Sequence, residues 1–379
     1  MKKNYAKLGI EVHKKMHGKI SVVSKKPVKT MDDLSILYTP GVGAASSYLA
    51  AHKNEIRAMT IKNNTVAVVS DGSAVLGLGN LGPEGAIPVM EGKCVLFKEF
   101  GGVDAFPIVL DTQNPDEIVE TVKNIAPIFG GINLEDISAP RCFEIEERLE
   151  KLLDIPLMHD DQHGTAIVVL AGLINALKVT GKKVSQSKFV IVGAGAAGNA
   201  TAKLLHGIGA EDIIVCDSKG IIDRRRKDLD PYKKALAKIT NKDNVYGGVA
   251  VAAEGADAII GVSKPGSITA EHIKLMAKKP IVFALANPIP EIMPDVAKKA
   301  GAFIIATGRS DFPNQINNVL GFPGIFRGAL DHNVKKITPG IKLKAAKALA
   351  ALVKKPSRTN IVPNVFDKRV AKAVANAVR

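Results

Sequence analysis

Tryptophan is missing from this 379-residue chain, and aromatic residues of every kind make up only 4%. A stacking platform for single-stranded nucleic acid needs aromatic side chains beside its basic groups, and none of the few present cluster with the lysine runs. Cysteine is as scarce. Cys94, Cys142 and Cys216 form no CxxC pair, which argues against a disulfide framework or a cysteine zinc site and suits a reducing, cytoplasmic compartment. The N-terminus, Met1-Lys2-Lys3, lacks the apolar run of a signal peptide. The longest apolar stretch, Ala166 to Leu177, is broken by Asn175 and falls short of the ~20 residues of a membrane-spanning helix. No membrane partner is expected. No fixed-period repeat is visible, which argues against solenoids and propellers.

Positive charge is abundant: 52 Lys and Arg against 37 Asp and Glu give +15. Its distribution decides what that means. Residues 1–30 carry net +8, residues 331–379 net +10, and residues 31–330 are net −3. The excess belongs to the ends, so the charge does not make this a nucleic-acid-binding protein. The lysines of the Ala-rich helical tail, Ile341–Val353 and Val370–Val378, read as a solvated face. If folding brings the ends near a cleft, their field favours an anionic substrate there.

The length and a 46% hydrophobic content leave room for about two domains with their own cores. The N-terminal part mixes a Lys-rich helix over residues 4–17 with short strands at Thr65–Ser70 and Cys94–Lys98, separated by glycine-rich turns. Thr165–Lys178 reads as a buried helix. Beyond it, strands at Phe189–Val192, Ile213–Cys216, Ala258–Val262, Ile281–Leu285 and Ala302–Ala306 alternate with helices at Gly198–His206, Pro231–Ile239, Ala270–Lys278 and Pro294–Ala300. Short, continuously apolar strands alternating with helices predict a doubly wound parallel sheet in an α/β fold.

The first strand of that series runs directly into Gly193-Ala194-Gly195-Ala196-Ala197-Gly198 and a helix. In this context the GxGxxG pattern predicts a dinucleotide site: Gly193 for the tight turn, Gly195 for close approach of a pyrophosphate, Gly198 for helix–strand packing. The phosphates would lie on the helix N-terminus. Asp217, closing the next strand, would bind ribose hydroxyls and favour NAD over NADP; Arg224-Arg225-Arg226 nearby would offset its repulsion of a 2′-phosphate, so NADP stays open.

Two acidic pairs stand out, Glu135-Asp136 and Asp160-Asp161. Asp160-Asp161 stands where the buried helix begins, so N-capping is its plain reading. Carboxylates converging from separate segments instead suit a hard divalent ion such as Mg²⁺ or Mn²⁺. His159 and His163 at i, i+4 have the spacing of a zinc hydrolase helix, but Asp160 stands where that motif requires Glu.

These residues, taken together, resemble the malic enzyme family in its short prokaryotic form. The resemblance rests on Tyr38-Thr39-Pro40-Gly41-Val42, Asp71-Gly72 with Leu76-Gly77-Leu78-Gly79, Glu91-Gly92-Lys93, the Glu135-Asp136 segment and Asp160-Asp161-Gln162-His163-Gly164-Thr165. Ala286-Asn287-Pro288 and Asn317-Asn318 with Phe322-Pro323-Gly324 extend it. It covers about residues 10 to 375. It implies an N-terminal α/β catalytic domain over residues 1–160 and a Rossmann-type NAD(P)-binding domain over 161–379 that includes the C-terminal helices. The implied reaction is oxidative decarboxylation of malate to pyruvate and CO₂, with oxaloacetate decarboxylation as a further activity and a malolactic enzyme, which forms lactate, as the alternative.

By the same resemblance Lys93 is the base, its pKa lowered by nearby cations and desolvation. Tyr38 is the acid, and Asp160 a catalytic neighbour. Glu135, Asp136 and Asp161 hold Mg²⁺ or Mn²⁺. Asn287 and Asn318, with Lys93, bind substrate, and Asn287 also lies at the cofactor. A homodimer is implied. One departure matters: larger members carry an Arg two residues after the Gly of Asp71-Gly72, and this chain has Ala74 there. Ser73, backbone N–H groups or a basic residue from elsewhere, a partner subunit included, must then take the substrate carboxylate.

Overall fold

Thr65–Ser70, predicted as a strand, forms β1 with all six residues buried. In the computed structural model, which describes residues 4–379, it lies second in a parallel sheet of order β2-β1-β3-β4. The other strands are β2 (Asp104–Val109), β3 (Gly131–Leu134) and β4 (Leu157–His159). A second sheet contains β5 (Lys188–Val192), β6 (Asp212–Asp217), β7 (Gly220–Ile221), β8 (Ala258–Gly261), β9 (Ile281–Ala284) and β10 (Ile304–Thr307). Its order is β10-β9-β8-β5-β6-β7, parallel except for the short edge strand β7. The order reverses at β5, so the crevice beyond the carboxyl ends of β5 and β8 is where such a sheet takes a ligand.

The second half of the chain follows its apolar pattern closely, to within a few residues at most ends. Cys94–Lys98 does not. That segment lies in a 20-residue helix, Gly82–Gly101, which buries Ala86, Met90, Lys93, Cys94, Phe97 and Gly101. Those positions recur every three or four residues, the spacing of one helix face. Cys94 to Phe97 reads as a strand only when the face beginning at Ala86 is ignored, and Pro88 with the helix's four glycines obscures that face.

The buried helix is longer than its apolar run. It spans Asp160–Thr180 and buries 15 of its 21 residues, having the two sheets and the C-terminal helices around it rather than solvent. It is long and apolar enough to cross a membrane, but its burial inside the protein is that of a core helix. Asn175, which interrupts the apolar run, is satisfied there: its amide donates to the carbonyls of Ala350 and Ile361 at 2.9 Å each.

The C-terminal helices return to the first sheet. The Phe322–Asp331 helix packs on Gly82–Gly101, with Phe97 against Phe322 and Phe326 at ring-centroid distances of 4.7 and 5.4 Å. The tail helices are Pro339–Ala351 and Arg369–Ala377. One tail lysine departs from the solvated-face reading: Lys342 is buried, and Glu146 and Glu150 supply the negative charge near it.

The N-terminal helices behave differently. Tyr5–Met16, Met31–Leu37 and Gly41–Ala51 bury no residue at all. Val22 is 82% exposed, and Ile10, Val23, Met31 and Ile36 are also open to solvent. So large an unburied apolar surface is unusual for a stable monomer.

Candidate active site

β3 and β4 are parallel neighbours, so the residues that follow them leave the sheet side by side. This brings Glu135-Asp136 and Asp160-Asp161 together at the carboxyl end of the first sheet. Lys93 enters from the Gly82–Gly101 helix. Its Nζ donates to Glu135 Oε1 at 2.8 Å and to Asp160 Oδ2, and lies 4.0 Å above the Phe322 ring. Asn318 Nδ2 donates to the same Asp160 oxygen, and Asn133 Nδ2 to Glu135 Oε2 at 2.9 Å. The backbone N–H of Asp136 donates to Asp161 Oδ2 at 2.8 Å. Glu135, Asp136 and Asp161 can each present one carboxylate oxygen within 4.8 Å of the others.

Four acids thus surround one lysine. Burial, and then the charges of Asp161 and Glu135, push the Asp136 carboxyl up to about 9. Burial raises Asp160 to about 7 even though Lys93 opposes the shift, and Glu135 and Asp161 are raised as well. Burial alone would lower the Lys93 pKa, but Asp160 and Glu135 outweigh it and hold the ammonium above the ordinary lysine value. The lowered pKa expected for a base is therefore reversed by neighbours far away in sequence.

The backbone at this point is strained. Asp136 sits at φ +53° and Leu76, whose N–H faces Asp136 Oδ1 at 3.4 Å, at φ +47°. Non-glycine residues reach that region at a cost of about 1–2 kcal/mol each and concentrate at functional sites. Asp136 Oδ2 is buried without a hydrogen-bond partner. Oxygen donors converging with an excess of negative charge fit a hard divalent cation. They do not fit the zinc-helix alternative, since His163 directs its Nε2 to Glu146 at 3.0 Å.

Asp160 and Asp161 do not cap their helix either. The cap residue is His159, with no side-chain cap bond. The Asp160 carboxylate instead folds back over Gly164, where a Cβ would lie 1.8 Å from Asp160 Oδ1. That explains the glycine in the Asp160–Thr165 motif.

Asn287 lies in the loop after β9, its side-chain amide against Gly308. Its carbonyl oxygen would lie 2.8 Å from a Cβ on Gly77, so the loop after β9 rests on the Leu76-Gly77 turn of the first sheet. Ser73 is not free to take a carboxylate: its hydroxyl donates to Asp71 and accepts the Ser138 N–H. Tyr38 is 67% exposed, and its hydroxyl has no hydrogen bond among the described residues. Within one chain it does not join Lys93.

The glycine loop lines a cavity of about 290 Å³ together with Asp217, Lys233, Val262 and Ser263. Gly193 has φ +122°, and a Cβ there would stand 2.4 Å from the Val262 carbonyl; a Cβ on Gly198 would stand 1.8 Å from the Gly193 carbonyl. Gly195 has nothing within 4 Å, which leaves its backbone open to an approaching phosphate. Ala196 and Ala197 begin the Ala196–Gly207 helix, and Ala194 lines the cavity.

The Asp217 carboxylate is already engaged by Arg226 through both Nη atoms (2.8 and 3.0 Å), by Lys233 Nζ (3.0 Å) and by the Lys219 N–H (2.9 Å). Burial raises its pKa, but these donors prevail and hold it below the usual carboxylate range. Of the three consecutive arginines, only Arg226 reaches Asp217. Arg225 pairs with Asp223, and Arg224 donates to the Ala237 carbonyl.

Sequence reasoning missed Asn133, Lys233 and Glu146. A buried amide within a strand, a lysine in the first turn of a helix and a glutamate on an amphipathic helix carry no motif of their own. Only the apolar neighbours of Glu146, Phe143, Ile145 and Leu149, hint that its face turns inward.

Two family models match the chain: the malic enzyme N-terminal domain over residues 17–150 and the malic enzyme NAD binding domain over residues 162–379. The NAD-dependent malic enzyme of Geobacillus stearothermophilus is 56% identical over 95% of this chain and 76% of its own length. The bifunctional malic/malolactic enzyme of Bacillus subtilis is 55% identical over 97% and 91%. The NADP-dependent malic enzyme of Halomonas elongata is 47% identical over 96% and 90%. The crystal structure of an NAD-dependent malic enzyme from Thermotoga maritima superposes with a TM-score of 0.94 at 48% identity, covering 97% of this chain and 98% of that one.

Proposed function

We infer the roles of the site residues from one premise: this chain belongs to the malic enzyme family, and its reaction is the NAD(P)-dependent oxidative decarboxylation of malate to pyruvate and CO₂. The observation that carries the assignment is Lys93, buried between Glu135 and Asp160 beside the carboxylate cluster. Lys93 in its neutral form takes the proton of the malate C2 hydroxyl as a hydride leaves C2 for the nicotinamide, giving the 2-keto acid. Asp160, bonded to Lys93, exchanges that proton with the amine. The bond from C3 to its carboxylate then breaks, CO₂ leaves, and the electron pair remains as the enolate of pyruvate. Tyr38 serves as the acid when the enol becomes the ketone.

Asn318, joined to Asp160, and Asn287, on the facing loop, offer amides to the substrate carboxylate or hydroxyl. Glu135, Asp136 and Asp161 would hold Mg²⁺ or Mn²⁺, which when bound supplies positive charge for the developing oxyanion and weakens the carboxylates' grip on the Lys93 proton. We place the domain boundary at residues 160 and 161, where β4 gives way to the long helix. Free, buried cysteines support a reducing, cytoplasmic setting.

The exposure of Tyr38 supports a homodimer in which each chain's Tyr38 serves the other's site. The unburied apolar surface of residues 5–51 is then the interface, and each large side chain it covers is worth about 1.5–3 kcal/mol when fully buried. For the cofactor, Asp217 favours NAD, while Arg226 and Lys233 leave a 2′-phosphate less repulsion than a bare carboxylate would. NAD is the preferred acceptor and NADP a usable one.

The Bacillus subtilis relative's name supports a second reading, malolactic turnover, in which pyruvate is reduced to lactate on the retained cofactor. A steady-state assay with malate separates the two. Accumulating NADH, more slowly formed NADPH, and loss of both with a chelator that Mn²⁺ reverses are the expected result. Lactate formed without net reduction of cofactor would replace the first reading by the second.

A further inference from the structure

The first turn of the Asp160–Thr180 helix is held from outside by a residue with no part in the chemistry above. Glu146, in the Arg141–Leu152 helix, is 5% exposed. Its Oε1 accepts the backbone N–H of His159 at 2.7 Å, and its Oε2 accepts from Gln162 Nε2 at 2.8 Å and faces His163 Nε2 at 3.0 Å. These partners bracket Asp160 and Asp161 on both sides. A helix N-terminus leaves N–H groups that a side chain must satisfy, and the two aspartates turn their carboxylates elsewhere.

We propose that Glu146 is the positioning residue that fixes Asp160 and Asp161 in the orientation that joins Lys93 and completes the carboxylate cluster. The proposal rests on reading that cluster as a divalent-ion site. A buried carboxylate is tolerated only when its oxygens are fully engaged, and here every engagement but one is with the segment 159–163. The remaining one is electrostatic: the buried ammonium of Lys342, from the Pro339–Ala351 helix, lowers the energy of the ionised Glu146. Glu146 therefore joins the end of the first sheet, the start of the long helix and the C-terminal tail. Residues that orient ion-binding side chains in this way typically change metal affinity by about 10–100-fold when removed.

The test is Mn²⁺ binding to the chelator-treated full-length protein, followed by electron paramagnetic resonance, beside NADH binding by fluorescence and steady-state kinetics. E146A is expected to bind Mn²⁺ about 10–100-fold more weakly, to bind NADH as wild type does, and to show a raised KM for Mn²⁺ with kcat largely restored at excess ion. An unchanged Mn²⁺ affinity in E146A overturns the proposal. So does an equal loss of Mn²⁺ and NADH binding, which marks a merely structural role. If E146A does not fold, E146Q decides: it keeps the acceptor for the His159 N–H but loses an anionic oxygen, so weaker Mn²⁺ binding supports the proposal and wild-type binding overturns it. A wild-type protein that binds no Mn²⁺ while oxidising malate removes the ion-site reading, and the proposal with it.

Discussion

Lys93 has the most to explain at the scale of single residues. An ammonium at 6% exposure is costly to bury unless it is paired, and here two carboxylates pair it. Lys93→Ala is expected to lower kcat for malate oxidation by about 10²–10⁴-fold, the usual contribution of a positioned base, with NADH fluorescence titrations unchanged. Full turnover would remove Lys93 from the role. Asp217→Ala frees Arg226 and Lys233 from their shared acid, so kcat/KM with NADP should rise relative to NAD; an unchanged ratio would take Asp217 out of the specificity argument. Sequence located both residues, Lys93 through its resemblance and Asp217 through its distance from the glycine loop. It could not give their electrostatic state: the carboxylates paired with Lys93 lie 42 and 67 residues away, and which of the basic residues after Asp217 reach it is decided by how that loop and helix fold.

Among the elements, the helices around the site decide more than the strands do. The Asp160–Thr180 helix begins at Asp160, six residues before its apolar run, because Glu146 and the carboxylate contacts stabilise a polar first turn that hydrophobic periodicity cannot see. Gly164 belongs to that turn. Gly164→Ala places a methyl where the Asp160 carboxylate lies, so Asp160 should be driven off Lys93. Crowding of this kind typically costs about 1–3 kcal/mol of stability. A thermal-denaturation midpoint lowered accordingly, with malate turnover reduced far more than NADH binding, is the expected outcome. Cys94–Lys98, apolar enough for a strand but helical in the fold, is the converse case. Four consecutive apolar residues fit either element, and the packing of Phe97 on Phe322 and Phe326 decided for helix.

The whole molecule poses the question of Tyr38. If each site takes Lys93 from one chain and Tyr38 from another, two dead variants should repair each other. Lys93→Ala and Tyr38→Phe proteins, unfolded together and refolded as a mixture, should regain about a quarter of wild-type activity. Half the dimers would be mixed, each with one intact site of two, in a symmetric dimer. Activity no higher than that of the variants refolded separately would place both residues in one chain. The +15 charge also looks different at this scale. Lys342, one of the terminal lysines, is buried next to Glu146 and Glu150 and belongs to the core's electrostatics rather than to an outward field.

Sequence by itself determined the alternating sheet of the second half and the glycine loop with its acid, while the family resemblance supplied Glu135, Asp160 and Asn318, which the structure gathers around Lys93. Local apolar periods and close-set glycines are short-range properties, and short-range properties are written in consecutive residues. Only the tertiary structure decided that the Lys93 pKa lies above its ordinary value, that Asp217 is already paired, that Ser73 is spent on Asp71, and that Tyr38 stands apart from its site. The carboxylates around Lys93 lie 42 and 67 residues from it in the chain, and even Ser73 with Asp71 and Asp217 with Arg226, close in sequence, meet through loop geometry that residue types alone do not specify; Coulombic energy and burial are set by distance in space.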